Sequence, residues 1–215
     1  MSKHAYLIIA HTNFGQLKKL LQLLDDQKND IYVFVDKTSD FDERSFDSGC
    51  KFSTVHFTER MSVSWGGFSQ IRAELMLFKT AAAQEKYAYY HLLSGMDLPL
   101  HNQEYIHAFF EKYAGHEFFT FTGEEIYKRE NPKSRLQYHY RFQDASGSEK
   151  KKNILLKIQN RLLLPIQRRL GIDRLKNNAM TIGYGANWVS VTDDFVRYIL
   201  EHETEIRQIY QNSFC

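Results

Sequence analysis

Three polar segments follow apolar runs, and their residue types could hold a ligand. His11-Thr12 follows Ala5-Tyr6-Leu7-Ile8-Ile9-Ala10, Asp36-Lys37 follows Ile31-Tyr32-Val33-Phe34-Val35, and Ser94-Gly95-Met96-Asp97 follows a run ending His91-Leu92-Leu93. A carboxylate such as Asp36 accepts hydrogen bonds from a ribose hydroxyl or a uracil N–H, although a turn or cap aspartate looks the same in sequence. Asp40-Phe41-Asp42 is an Asp-x-Asp pattern, which with diphosphate oxygens makes a hard-cation site. It lies in an acidic loop, where solvated charge is the usual explanation. In Ser64-Trp65-Gly66-Gly67-Phe68-Ser69 the glycines let backbone approach a ligand, Trp65 offers a face to a ring, and Ser69 can cap a helix. The same residues also suit a tight turn with a core tryptophan. His11 and His91 lie near strand termini, where single histidines are more often satisfied than catalytic.

Several chemistries lack their patterns. No GxGxxG or GxxxxGK[ST] follows the first apolar run, and Ser94-Gly95 is not a GxSxG elbow. The nine histidines form no HExxH, and Cys50 and Cys215 make neither a disulfide framework nor a zinc set.

The elements that must position these residues alternate. Residues 5–10 and 31–35 read as buried strands around a helix at 14–27 with Leu17, Leu20, Leu21 and Leu24 at helical spacing. Strand, helix, strand at this spacing is a βαβ unit in a parallel sheet. Further strands are expected at 54–57, 87–93, 118–121 and 188–191, and helices at 69–83, 105–113 and from 193 to 202. Residues 123–150 read as polar loop, and 151–170 as a basic amphipathic helix broken or kinked at Pro165. The fold class is α/β, and ligands in such sheets sit outside the carboxyl ends of the strands.

The chain has 215 residues, 43% hydrophobic and 25% charged, enough to bury a core in one domain. Net charge is +2, but residues 150–176 hold Lys150, Lys151, Lys152, Lys157, Arg161, Arg168, Arg169, Arg174 and Lys176 against Asp173 alone. On a helical wheel Ile154, Leu155, Ile158, Leu162, Leu163, Ile166 and Leu170 share one half, which suits peripheral contact with a membrane or packing with a solvated basic face. No aromatic interleaves the basic run, so no nucleic-acid partner is expected. The short apolar start is not a signal peptide, no apolar stretch spans a bilayer, and a cytoplasmic protein, at most peripheral on the cytosolic membrane face, is expected.

Taken in order, the strand ends resemble a known family. The segments are 4–11, Val35-Asp36-Lys37-Thr38-Ser39, Trp65-Gly66-Gly67-Phe68-Ser69 with Ala73-Glu74-Leu75, and Leu93-Ser94-Gly95-Met96-Asp97-Leu98-Pro99-Leu100, with Gly185-Ala186-Asn187-Trp188 before Phe195-Val196-Arg197-Tyr198 farther on. The set is similar to the core-2/I-branching β-1,6-N-acetylglucosaminyltransferases, a family that includes peptide O-xylosyltransferases. The resemblance implies a GT-A-like α/β fold with a mostly parallel sheet, a nucleotide-sugar half at about 1–120 and an acceptor half at about 121–215. It implies an inverting, metal-independent transferase using a UDP-sugar, with no cofactor, acting on a glycan or lipid-linked glycan. His11 and Asp36 would line the uridine pocket, with Trp65, Gly66 and Gly67 near the nucleotide. Ser94, Gly95 and Asp97 would meet the sugar. Glu124 and Arg135 match acceptor-contacting positions, and Lys133 sits one residue out of register with the family's lysine.

The family's catalytic base is a glutamate in an Asp-Glu pair after the last helix, followed by diphosphate-binding Arg and Lys. The chain stops at Asn212-Ser213-Phe214-Cys215, short of that pair, so this chain alone is expected to be weakly active or inactive. A module that binds nucleotide or glycan without catalysis is the competing reading.

Overall fold

The computed structural model describes residues 3–144, 154–176 and 180–214. Lys150, Lys151, Lys152, the first residues of the expected basic helix, and Cys215 lie outside them. The chain divides into two compact units, each assembled from separate stretches. The first comprises Met1–Met61, Ala73–Phe119 and Asn187–Glu201, and the second Ser62–Arg72, Thr120–Ala186 and His202–Cys215.

The first unit is built on a five-stranded sheet: β1 (His4–Ala10), β2 (Asn29–Val35), β3 (Thr54–Phe57), β4 (Tyr89–Ser94) and β5 (Ser190–Val191). Their order is β3-β2-β1-β4-β5, parallel except for β5, which runs antiparallel to β4. β1 pairs with β2 over its whole length, from His4 opposite Asn29 to Ala10 opposite Val35. Its other edge pairs with β4, from His4 opposite Tyr89 to Ile9 opposite Ser94. A strand held on both edges and covered on both faces must be apolar throughout, which is why residues 5–10 do not alternate.

Helix α1 (Phe14–Leu24) starts at Asn13, whose left-handed backbone (φ 51°) lets its Oδ1 accept the Gln16 N–H. It buries Leu17, Leu20, Leu21 and Leu24 on Tyr6, Ile8, Ala10, Ile31, Val33 and Val35, one face of β1 and β2. Helix α3 (Gln103–Lys112) serves the same face farther toward the strand starts, where Gln103 accepts from the Tyr6 hydroxyl at 3.0 Å. On the opposite face Phe78 of helix α2 (Phe68–Gln84) packs on Tyr90, and Asp193, at the start of helix α7 (Asp193–Glu201), accepts from the Tyr90 hydroxyl at 2.8 Å. α2 crosses the division between the units at residue 72.

The second unit contains α4 (Glu124–Glu130), α5 (Pro132–Gln137), α6 (Ile154–Arg169) and α8 (Glu203–Tyr210). Residues 123–137 read as loop because they lack apolar periodicity. Their helical signals are terminal ones: acids at 124 and 125, bases at 128 and 129, and Pro132 at the first turn of α5. Helix α6 runs through Pro165 without a break. The strand expected at 118–121 is only two isolated bridges, Phe118 with Ser190 and Phe121 with Gly185. The guanidinium of Arg174 ties the end of α8, donating to the carbonyls of Gln208, Ile209 and Gln211 at 2.9–3.2 Å.

A polar network lies inside the first unit, away from the strand carboxyl ends. His4 Nδ1 and His91 Nε2 are 2.9 Å apart, His91 Nδ1 is 2.8 Å from Ser190 Oγ, and His107 Nε2 is 2.8 Å from Asn29 Oδ1. All three rings are buried. Burial, then the neighbouring histidine, holds His4 down to about 4 and His91 well below the ordinary histidine range. The unfolded chain takes up these protons near pH 6.5, and the folded chain does so only much lower. Stability from this network is therefore complete above pH 6.5 and is lost as pH falls toward 4, by about 3 kcal/mol for His4 alone. The urea midpoint is expected to fall between pH 6.5 and 4.5, and to fall less in His4→Gln. Equal midpoints at pH 7 and 5 in the parent chain would contradict this.

Candidate functional site

In the first unit β1 lies between β2 and β4, so the order reverses at its carboxyl end, the place where open α/β sheets take ligands. His11, Asp36, Ser94, Gly95 and Asp97 all belong to this end. His11 is exposed there, and its carbonyl accepts from Ser39 Oγ at 2.7 Å. Asp36 is buried, and its N–H donates to the Ala10 carbonyl at 3.0 Å, extending the β1–β2 pairing by one residue. Asp36 Oδ1 accepts from the Thr38 N–H and hydroxyl, both at 2.7 Å. The carboxylate is thus a turn aspartate, fixed by Thr38 at the strand end.

Arg60 fixes the following loop and escaped the sequence reading. Its guanidinium donates to the carbonyls of Phe41 (2.8 Å), Asp36 (3.0 Å) and Ser39 (2.8 Å), and lies over the Phe41 ring at 5.8 Å. A planar fork of donors suits several converging carbonyls as an ammonium does not. No sequence pattern announces such a contact, because its acceptors are main-chain atoms about twenty residues upstream. Asp42 Oδ1 in this loop accepts the Arg44 N–H at 3.1 Å, a local turn.

The β4 end is a self-bonded turn. Asp97 Oδ2 accepts the Ser94 N–H at 2.8 Å, the Asp97 N–H donates to the Ser94 carbonyl at 3.0 Å, and the Met96 N–H donates to Ser94 Oγ at 3.2 Å. Gly95 donates to the Ile9 carbonyl at 2.8 Å, and a Cβ there would come within 2.9 Å of Ala10 Cβ. Glycine is required because β1 and this turn touch. The turn holds the half-buried Asp97 carboxylate by one oxygen.

Trp65, Gly66 and Gly67 belong to the second unit. Trp65 is 73% exposed, with one edge against Phe214 at 5.4 Å. Gly66 has φ 72° and donates to Gln70 Oε1 at 2.7 Å, and a Cβ there would press on the Phe214 ring. Asp144, also absent from the sequence reading, accepts the Ser69 N–H at 3.0 Å and its hydroxyl at 2.8 Å, and Ser64 Oγ donates to the Asp144 carbonyl. The glycines make room for protein side chains here, and Trp65 supplies the open aromatic face.

Glu124, Lys133 and Arg135 also lie in the second unit, in different surroundings. Glu124 opens α4, exposed, paired with Lys128 at 2.7 Å. Arg135 is held by Glu130 at 3.0 Å and lies over Tyr184 at 5.1 Å and Phe214 at 5.6 Å, so it braces the unit. Lys133 has no hydrogen-bond or ion-pair partner among the described residues. It lines a cavity of about 250 Å³ with Tyr127, Leu175, Met180 and Ile182.

A further carboxylate stands out in the first unit. Burial pushes Glu74 of α2 up to about 7, and its Oε1 accepts from Asn187 Nδ2 at 3.4 Å. Both lie in segments that carry the family resemblance, yet neither was read as a site residue.

The fold defines the class: an α/β domain on a mostly parallel sheet, at whose carboxyl end the Asp36 and Asp97 carboxylates are held by local hydrogen bonds. Within that class the chain belongs to the Core-2/I-Branching enzyme family, whose model matches residues 4–215. It is a glycosyltransferase with a GT-A-like fold, and its family implies a sugar-nucleotide donor and a glycan acceptor. No curated protein matches the chain.

Glu74 yields a pH-dependent expectation opposite in sign to that of the histidines. Its folded-state proton is held to about pH 7, whereas the unfolded chain releases it near 4.5, so stability falls as pH rises between the two. Glu74→Gln, which keeps the shape without the charge, is expected to raise the thermal midpoint at pH 8 and to leave it nearly unchanged at pH 4.5. A variant less stable than the parent at pH 8 would show that the ionised carboxylate is wanted there.

Proposed function

We propose that the chain is an inverting, metal-independent transferase that moves a sugar, N-acetylglucosamine as first candidate, from UDP to a hydroxyl of a glycan or lipid-linked glycan in bacterial surface polysaccharide synthesis. The observation that carries the reading is the meeting of the Asp36 loop and the Ser94–Asp97 turn at the carboxyl end of β1, in a chain matched to this family over residues 4–215. Peripheral contact with the cytosolic membrane face through residues 150–176 belongs to the same reading. None of the helices among the described residues is long and apolar enough to cross a membrane.

In this reading Asp36 and His11 take the uridine, and Trp65, Gly66 and Gly67 lie near the nucleotide. Ser94, Gly95 and Asp97 meet the donor sugar. Glu124 and Arg135, with Lys133, bind acceptor hydroxyls, for which a carboxylate or guanidinium fork is suited. The acceptor oxygen forms a bond to the anomeric carbon as the bond from that carbon to the diphosphate breaks. The electron pair leaves with UDP, and the hydroxyl proton passes to a general base. Charge on the leaving diphosphate is met by basic side chains in the resembled family. Support for doing without a metal comes from that pattern in the resembled family.

Calorimetric titration with UDP and UDP-N-acetylglucosamine, each with EDTA and with Mn²⁺, tests the reading. Equal binding in EDTA and in Mn²⁺ is expected. Binding only with Mn²⁺ would return Asp40 and Asp42 as ligands and end the metal-independent mechanism. Absence of binding under every condition would remove the nucleotide site.

A further inference from the structure

Helix α6 carries its apolar stripe outward. Ile158, Leu162, Ile166 and Leu170 follow one another at intervals of four, so they form a single row along one side over about 18 Å. Their exposures are 45%, 62%, 53% and 70%. The row continues past the last helical residue because the Leu170 N–H still donates to the Ile166 carbonyl at 2.9 Å. An amphipathic helix ordinarily spends such a row on its own core.

This helix is anchored by something else. Gln167, nine residues from Ile158 and therefore about half a turn round the helix, is buried. Its side chain closes a two-way bridge, accepting the His139 N–H at 2.8 Å and donating to the His139 carbonyl at 3.0 Å. Leu163 and Leu164 are half-buried. A polar residue thus faces the protein while four large aliphatic side chains face away from it.

The charge beside the row is of one sign. Arg161, Arg168 and Arg169 are exposed, the sequence of α6 contains no acid, and none of the three is ion-paired to a carboxylate among the described residues. Arg168 lies over the Tyr138 ring at 5.6 Å, which holds its side chain at the helix edge. By helical spacing Arg161 and Arg168 border the row on one side, and Arg169 falls within its angular range.

We infer that α6 is a docking surface for an anionic lipid bilayer, lying in the interface plane with Ile158, Leu162, Ile166 and Leu170 inserted among the acyl chains. Arg161, Arg168 and Arg169 meet the anionic headgroups. A row of exposed Ile and Leu side chains flanked by arginines suits a fluid apolar surface with anionic headgroups. A second copy laid row against row would oppose six arginines, whereas anionic headgroups complement them. The inference rests on and deepens the membrane contact proposed above for residues 150–176, and because binding to vesicles is read without nucleotide or turnover, its failure would leave the nucleotide site untouched.

Co-sedimentation of the full chain with phosphatidylcholine vesicles, and with vesicles that also contain phosphatidylglycerol, tests it. Binding is expected only to the anionic vesicles, and it should weaken as salt is raised. Leu162→Glu/Ile166→Glu, both at exposed positions, should weaken it about tenfold or more. Arg161→Gln and Arg169→Gln should each weaken it about fivefold. Circular dichroism melts of the variants separate loss of binding from loss of fold. Failure of the parent chain to bind, equal binding to neutral vesicles, or variants that bind like the parent would overturn the inference. So would a dimer in light scattering that Leu162→Glu/Ile166→Glu abolishes, since the row would then be taken by a second copy.

Discussion

The pairing of β1 along both of its edges is the constraint from which the crevice follows. A strand of seven residues, parallel to β2 on one side and to β4 on the other, ends where its neighbours' connections diverge. What remains at that end is backbone: the Asp36 N–H on the Ala10 carbonyl and the Gly95 N–H on the Ile9 carbonyl. Two main-chain bonds to consecutive residues of β1 thus set the positions of the Asp36 loop and the Asp97 turn. Each carboxylate is then oriented locally, by Thr38 in one case and by the Ser94 N–H in the other. Preorganised acceptors of this kind lose little on binding a ligand.

The two units differ in electrostatic character. Residues of the second unit include sixteen Lys and Arg against eight Asp and Glu, whereas the first unit has twelve against eighteen. The near-neutral whole conceals this division. Part of the second unit's positive charge is structural: Arg174 ties helix ends, and Arg135 braces Glu130, Tyr184 and Phe214. Lys133, Arg161 and Arg169 have no hydrogen-bond or ion-pair partner among the described residues, and they are among the groups available to an anionic or hydroxyl-rich ligand. The buried histidines of the first unit make its stability depend on pH, because burial keeps His4 and His91 neutral at physiological pH.

Legibility in the sequence followed the physics of each element. β1, β2 and α1 were readable because continuous apolar runs and a leucine repeat encode burial directly. Glu124 to Gln137 was not, because α4 and α5 bury only Pro132 and Leu136 and form from end effects. At Pro165 the sequence predicts a break or a kink, and of the two the break is absent, since α6 continues through it. At the carboxyl end of the sheet the packing of Gly95 against Ala10 went unread, but the polar residues next to apolar runs were visible. Arg60 and Asp144 were not, since both act on main-chain groups brought near by tertiary structure. The glycines at 66 and 67 signalled close approach correctly, but the approaching groups are Phe214 and Asp144.

Hydrogen exchange of the main-chain amides, with and without UDP, tests the central claim most directly. Slower exchange on UDP addition at residues 36–41 and 94–97 is the expected result, because a nucleotide bound as proposed at the carboxyl end of β1 would cover these segments. Slowing confined to other segments, with 36–41 and 94–97 unchanged at saturating UDP, would contradict it.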